Sequence, residues 1–463
     1  MMRPDTRALR PERARCLWAW AAAGRHKTPV LEPVRSLCAW AAAGRHKTPI
    51  VDALWRRRSE LGAGAAASVP DAPTPGERVL MEKVPSDSAA SQMYAFSSDE
   101  ALADMYRNPW GRMRVGRFLE DLDAMAGTVA FSHCQTPGAP NLLLVTASVD
   151  RIVYRHRPNL ERDIRLDGRV NWVGRSSMEI GMVASAEGAT TPFLEAAFTF
   201  VARDPSTNRA ARINPLVVAP DGSDEARRFA LAQERDATRK RVRAASKANV
   251  HGHSLDSELL HTAHELLGAA TPLLELPALA DGSEILMSAT ALQDATLCMP
   301  QQRNPAGRIF GGFLMRRAFE LGFSSAYLFA GRMPVFLELD EVTFREPVSV
   351  GDLVRFESAV LYTSEVMDVL GRLTIHVEVR ANVIKPEART SVTSNTFNFT
   401  FGVADESGRS ARVGGGVELK RVVPATHEQA YRILERYKAD LVQRSEDESQ
   451  PPGGASAAPP ASV

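Results

Sequence analysis

The chain contains one pattern twice, and that repeat restricts its possible folds more than any other feature. Asn108-Pro-x-Gly111-Arg-x-x-x-Gly116 recurs without a gap as Asn304-Pro-x-Gly307-Arg-x-x-x-Gly312, at an offset of 196 residues. Downstream, Ser148-Val-Asp150 to Tyr154 parallels Glu338-Leu-Asp340 to Phe344. Met178-Glu-Ile180 parallels Met367-Asp-Val369, and Phe198-Thr-Phe200 parallels Phe399-Thr-Phe401. Four matches in one order indicate a single fold used twice. A length of 463 residues leaves room for that, since length alone suggests roughly two to four domains.

Each copy has the same coarse plan. A glycine-punctuated turn leads into a helix, Arg117 to about Ser132 in the first copy and Phe313 to about Ala330 in the second. Strands follow. Leu373, Ile375, Val377 and Val379 alternate with Thr374, His376, Glu378 and Arg380, the period-two signature of a half-buried strand. Val354, Phe356 and Val360 face one way and Arg355 and Glu357 the other, after a turn at Pro347 and Gly351-Asp352. One helix followed by an antiparallel meander implies an α+β layer arrangement, a sheet wrapped round a helix.

Composition excludes several classes. Apolar residues make up 44% and charged residues 24%, as in ordinary globular chains. A net charge of +1 provides no general attraction to nucleic acid or anionic membranes. No apolar run reaches the roughly eighteen residues of a membrane span. Cys16, Cys38, Cys134 and Cys298 are scattered without a CxxC pair, against a zinc ribbon or disulfide framework and in keeping with a reducing compartment. No metal or cofactor is expected.

The flanks and the middle read differently. Residues 1–58 hold eleven arginines and two lysines against four acids, and the Ala- and Arg-rich stretch resembles an organelle transit peptide. Within it, Trp20 to Pro29 recurs unchanged as Trp40 to Pro49. Residues 1–60 are therefore expected to be a transit peptide or disordered arm, with a mitochondrial destination, and plastid or cytoplasm as alternatives. Residues 90–222 and 283–435 form the two repeated domains. Residues 223–282 form a charged helical linker whose segment Asp224 to Lys247 reads as a solvated helix. His251, His253, His261 and His264 lie in that linker without a completing carboxylate or cysteine set, and read as linker histidines. Residues 445–463 are Pro-, Gly-, Ala- and Ser-rich, with the composition of a disordered tail.

Asp123 is the first candidate for chemistry. Leu119, Leu122, Met125, Ala126 and Val129 form an apolar helix stripe, and Asp123 falls within it. Desolvation there raises a carboxyl pKa and makes a better base, and Glu120 at i−3 would raise it further. A border carboxylate capped by nearby backbone explains the position equally well. The matching residue in the second copy is Phe319, so the copies diverge at the candidate base, with Glu320 the only acid nearby. Asn108 reads as a turn former before its proline. Around Asn304, Gly311 and Gly312 at a helix start would bare backbone N–H groups for an oxyanion, or else only permit close packing.

The stretch from Cys298 through Asn304 and Phe310-Gly-Gly to Leu321, together with Arg114-Val-Gly-Arg-Phe-Leu-Glu-Asp-Leu-Asp123 and Leu339 to Asp352, resembles the acyl-coenzyme A thioesterase 9 family of double-hotdog enzymes. The resemblance covers roughly residues 90–435. It implies two tandem hotdog domains side by side with antiparallel helices, and hydrolysis of fatty acyl-CoA to the free acid and CoA. It further implies an active site pairing Asp123 with Asn304, with Gly311 and Gly312 at the oxyanion. A degenerate second site would comprise Asn108, Gly116 and Phe319, and the chain would assemble further, as a trimer of double hotdogs.

Two rivals compete. A hotdog hydratase would carry Asp-x4-His on the helix, but Thr128 stands five residues after Asp123, and His133 reads as structural. A catalytically silent acyl-CoA-binding regulator would tolerate loss of the carboxylate, as Phe319 shows. Retention of both Asp123 and Asn304 favours the enzyme.

Overall fold

The computed structural model describes residues 47–67, 78–220, 222–249, 257–304, 307–340, 342–364, 373–403 and 418–449. The first copy opens with helix α1 (Pro49–Ala67), strand β1 (Ala90–Tyr94) and a short helix α2 (Glu100–Met105). The central helix α3 (Val115–Cys134) follows, then β2 (Leu143–Tyr154), β3 (Ile164–Val173), β4 (Ser177–Ala186) and β5 (Leu194–Arg203). Helices α4 (Asp224–Asn249) and α5 (Ser257–Ala269) and strand β6 (Glu284–Leu286) lead to the second copy. There β7 (Leu292–Leu297) precedes the central helix α6 (Gly311–Ala330), which Gly331 ends in a left-handed conformation. Strands β8 (Pro334–Leu339), β9 (Val342–Thr343), β10 (Leu353–Ser364), β11 (Thr374–Lys385) and β12 (Thr390–Val403) complete that copy. Strand β13 (Arg421–Val423) and helix α7 (His427–Ser449) end the described chain.

The sheet order is β1-β3-β4-β5-β2-β8-β12-β11-β10-β7, and its two halves mirror each other about the β2–β8 junction. Antiparallel pairing of Ile152 with Leu339 and Val153 with Glu338 joins the halves into one sheet, reinforced by the Arg151–Glu338 ion pair. Each half is a hotdog: a long helix wrapped by an antiparallel sheet, as expected. The two helices pack antiparallel. As α3 advances from Gly116 to Glu120, its neighbours on α6 retreat from Phe319 and Arg316 to Gly312.

The register corrects one repeat match. Met178, Glu179 and Ile180 pair with Phe200, Thr199 and Phe198, whereas Ile375, His376 and Val377 pair with Phe401, Thr400 and Phe399. The structural counterpart of Glu179 is therefore His376. The segment Met367-Asp-Val369 lies outside the described residues.

Three expectations about the periphery also change. Residues 1–46 lie outside the described residues, but α1 belongs to the fold. Its Ile50, Val51 and Leu54 are core residues, and Thr48 bonds the buried Asp121. The apolar residues after Pro49 supply a face that α3 buries, which the basic composition had masked.

Helix α4 is not solvated all round. Its Arg235 and Arg239 reach across to Glu179 and Asp150 on the outer sheet face, and Arg239 is buried. Helix α7 repeats this with Arg432 on Glu378 and Arg436 on Asp340 and Asp440. The second-copy helix covers its strand so well that Thr374 and His376, expected on an open face, are buried. Helix α7 also runs to Ser449, further than the tail reading allowed.

Candidate active site

Asp123 sits in the middle of α3, only 4% exposed. Its Oδ2 accepts the backbone N–H of Gly312 at 2.7 Å and its Oδ1 accepts the hydroxyl of Thr146 at 3.1 Å. Burial pushes the carboxyl up to about 6, against the opposing pull of those two bonds. Glu120 does not contribute to that rise. Its carboxylate points across the helix pair to Arg316 at 3.1 Å.

The glycines at the start of α6 permit this approach. A Cβ on Gly311 would lie 3.0 Å from Asp123 Oδ2, and one on Gly312 would lie 2.9 Å from the Glu120 Cα. Backbone stands at that second position, so no side chain fits without moving the helices apart. Phe344, whose N–H bonds Ala147 O, closes the Gly311 side, and Trp55 of α1 packs on Phe310 with ring centroids 5.1 Å apart. The N–H assigned from sequence to an oxyanion is thus the one that holds Asp123.

Asn304 is set by its own turn. Its Oδ1 accepts Arg308 N–H at 3.2 Å, its N–H bonds Arg308 O and its carbonyl takes Gly307 N–H. Asn108 is held alike, its Oδ1 accepting Trp110 N–H at 3.0 Å and Arg112 N–H at 2.9 Å. The structure brings Gly311 and Gly312 to Asp123, whereas Asn304 is linked to it through the turn that leads into α6.

At the reciprocal position Gly116 faces Phe319, where a Cβ would stand 3.4 Å from the ring. Thr146 pairs with Phe200 and Phe336 with Phe401, so Phe336 is the counterpart of Thr146. Phe319 and Phe336 meet edge-on at 5.3 Å. The polar pair Asp123–Thr146 on one side thus becomes an aromatic pair on the other. Glu320 does not replace the missing carboxylate. Arg316 and Arg114, each at 3.0 Å, hold its carboxyl below the usual range despite its burial.

Thr146 and Phe344 were missed in the sequence. Thr146 lies two residues before a recognised repeat match, and its exchange for Phe336 repeats the Asp123-to-Phe319 exchange. His133 is a structural residue: its Nε2 meets Asn214 O at 2.9 Å, and burial lowers it to about 4. His261 lies exposed beside Glu265. Among the described residues no three His, Cys, Asp or Glu side chains converge as a metal site, and no helix is long and apolar enough to cross a membrane.

The chain is thus a pair of hotdogs whose helix interface buries the carboxyls of Asp123 and Glu120. No profile of a known protein family matches the chain. Individual relatives do. Acyl-coenzyme A thioesterase 4, mitochondrial, of Humulus lupulus is 44% identical over 397 residues, covering 84% of this chain and 72% of its own. Acyl-coenzyme A thioesterase 2, chloroplastic, of the same plant is 43% identical, covering 84% and 88%. Mouse acyl-coenzyme A thioesterase 9, mitochondrial, is 33% identical, covering 70% and 73%. Among solved structures, an apo-hexameric acyl-CoA thioesterase shares 23% identity at a TM-score of 0.32, covering 36% of this chain and 99% of its own. The chain belongs to the acyl-coenzyme A thioesterase family and is a hydrolase of acyl-CoA thioesters.

Proposed function

We propose that hydrolysis occurs at a single site per hotdog pair, at the α3–α6 interface, with Asp123 as general base. The observation that supports this most is the buried carboxylate held by Gly312 and Thr146, where the two-fold counterpart is Phe319. Asp123 takes a proton from water as the water oxygen attacks the thioester carbon. Once protonated, Asp123 accepts the Gly312 N–H less strongly, and that donor passes to the oxygen now carrying negative charge. Collapse of the tetrahedral intermediate breaks the C–S bond. The CoA thiolate leaves and recovers the proton from Asp123. Asn304, its Oδ1 held by the Arg308 amide, presents its Nδ2 end to the water or the thioester carbonyl, and Gly311 allows the acyl group to approach. The alternative route, Asp123 as nucleophile through an anhydride, places an oxygen of labelled water in the Asp123 carboxyl in a single turnover.

The substrates are fatty acyl-CoAs, the destination is mitochondrial, and the assembly is a trimer of double-hotdog chains. These readings rest on the family, on the basic N-terminal composition and on the relatives' names. Thiol release from a panel of acyl-CoAs tests the site. Asp123→Asn should abolish turnover while CoA still binds, and unchanged turnover would remove Asp123 from this role. Light scattering reads the oligomer, and import of the full chain into isolated mitochondria reads the destination.

A further inference from the structure

The two-fold counterpart of the Asp123 site is not filled in. It is a cavity of about 400 Å³, formed by the Asn108–Gly111 turn, the start of α3 and the middle of α6. This size falls within the usual range for small-molecule sites. Trp110, Phe319, Phe323 and Phe336 supply an apolar wall, and Arg112, Arg114 and Arg157 line the same space. We propose that this pocket binds a second acyl-CoA, acyl chain against the aromatic wall and phosphates toward the arginines, and holds it without hydrolysis.

Three observations carry the proposal. The walls combine a ring surface, which suits a flexible alkyl chain, with the guanidiniums of Arg112 and Arg157, which suit phosphate oxygens, while Arg114 is engaged with Glu320. The cavity uses the same elements as the Asp123 site with the roles of α3 and α6 exchanged, so a ligand of the same shape meets the same frame. No base faces it: the aspartate position is Phe319, and Glu320 is tied to Arg114 and Arg316. Binding at this pocket rests on the family's substrate class, and only the absence of hydrolysis there rests on the reading of Asp123 as the base.

The test is the number of ligands per chain. The full chain is titrated by calorimetry with a thioether analogue of octanoyl-CoA, which no hydrolase cleaves, and separately with CoA and with octanoate. Two analogue molecules per chain are expected. Arg112→Glu combined with Arg157→Glu should weaken one of the two by at least tenfold and leave the other within twofold. Ser324→Trp, an exposed lining position, should remove the same one by obstruction, so the result does not depend on one variant folding. One analogue per chain in the wild type, or two with unchanged affinities in both variants, overturns the proposal. So does displacement of the second analogue by octanoate alone, or equal affinity for CoA, since either discards the acyl or the phosphate half. Loss of turnover in Asp123→Asn is read separately, so binding at this pocket and the assignment of the base fail independently.

Discussion

On one side of the α3–α6 pair, Asp123 and Thr146 face Gly312; on the other, Phe319 and Phe336 face Gly116. Helix order and the Asn-Pro turn recur on both sides, down to the asparagine that bonds its own loop. The second copy therefore shows that the fold does not need a carboxylate at this point, since a phenyl ring fills the position inside a cluster with Phe399 and Phe401. A buried carboxylate costs stability where a ring would contribute it. What distinguishes the first side is a polar pair in place of an aromatic one, and the comparison can be broken at each of its parts.

The largest expected effect is on turnover. Asp123→Asn removes the proposed base and keeps the shape, so kcat should fall by roughly 10²–10⁴-fold, the usual weight of general base catalysis. Phe319→Leu, at the matching position, should change kcat by less than about threefold. This figure follows from its having no acid–base role. Thiol release on both variants decides the matter, and equal losses would mean that the two sides are not functionally different.

The copies also differ in how well their helices are covered. In α3, eighteen of twenty residues are buried, against eight of twenty in α6, because α1 closes over the first helix. A chain beginning at residue 69 loses Ile50, Val51 and Leu54 from the core and leaves Asp121 without Thr48. At ~1.5–3 kcal/mol per buried side chain the deletion should cost roughly 5 kcal/mol, most of a typical domain's stability. Thermal unfolding of chains beginning at residues 47 and 69 checks this, and equal melting temperatures would show that α1 is dispensable.

Across the pseudo-two-fold, position 120 matches position 316, and the pair is Glu120 with Arg316. Two first copies would bring glutamates together and two second copies arginines, so the contact favours the mixed pair. Arg316→Met takes the nearer of its two arginine partners from a carboxylate that is 2% exposed, leaving only Arg117 at 3.9 Å, which should cost about 3 kcal/mol. Adding Glu120→Leu should recover most of it. A denaturant double-mutant cycle measures the coupling, and additive losses would show that the pair is not specific.

Much of this frame was legible from the repeat. Both central helices, the strands around Phe198 and Val354 and the exchange of Asp123 for Phe319 follow from matching residues in order. The third match failed because Met367-Asp-Val369 repeats the apolar-acid-apolar pattern of residues 178–180, whereas the true counterpart, Ile375-His376-Val377, carries a histidine in place of the acid and only strand pairing reveals it. Helix α4 was misread for a physical reason: Arg235 and Arg239 look solvated until Glu179 and Asp150 appear beneath them. Charge density along a helix does not show which arginines have a buried partner. Thr146 was invisible for a similar reason, since a single threonine in a strand gains meaning only when an aspartate stands 3.1 Å away.

The smallest effect expected is the most specific. With its carboxyl raised to about 6, Asp123 is ionised only above that pH, so kcat/KM should rise through pH 6 and then level. The Thr146 hydroxyl donates to the ionised form and lowers its pKa, so Thr146→Val should move the acid limb upward. A hydrogen bond to a charged group is worth roughly 1 kcal/mol more than one to a neutral group, which corresponds to about 0.7 of a pH unit. Stability has its own sign. The folded state holds this proton more tightly than the unfolded chain, so the stabilisation it gives is present at low pH. It is lost as pH rises from the ordinary aspartate value of 3.8 through about 6. Thr146→Val raises the folded value further and should destabilise the protein more at pH 8 than at pH 5. Pre-steady-state thiol release across pH and melting at those two pH values read both effects. A limb that stays at its wild-type position in Thr146→Val would mean that the titrating group is not Asp123, and the difference between the two sides would then need another base.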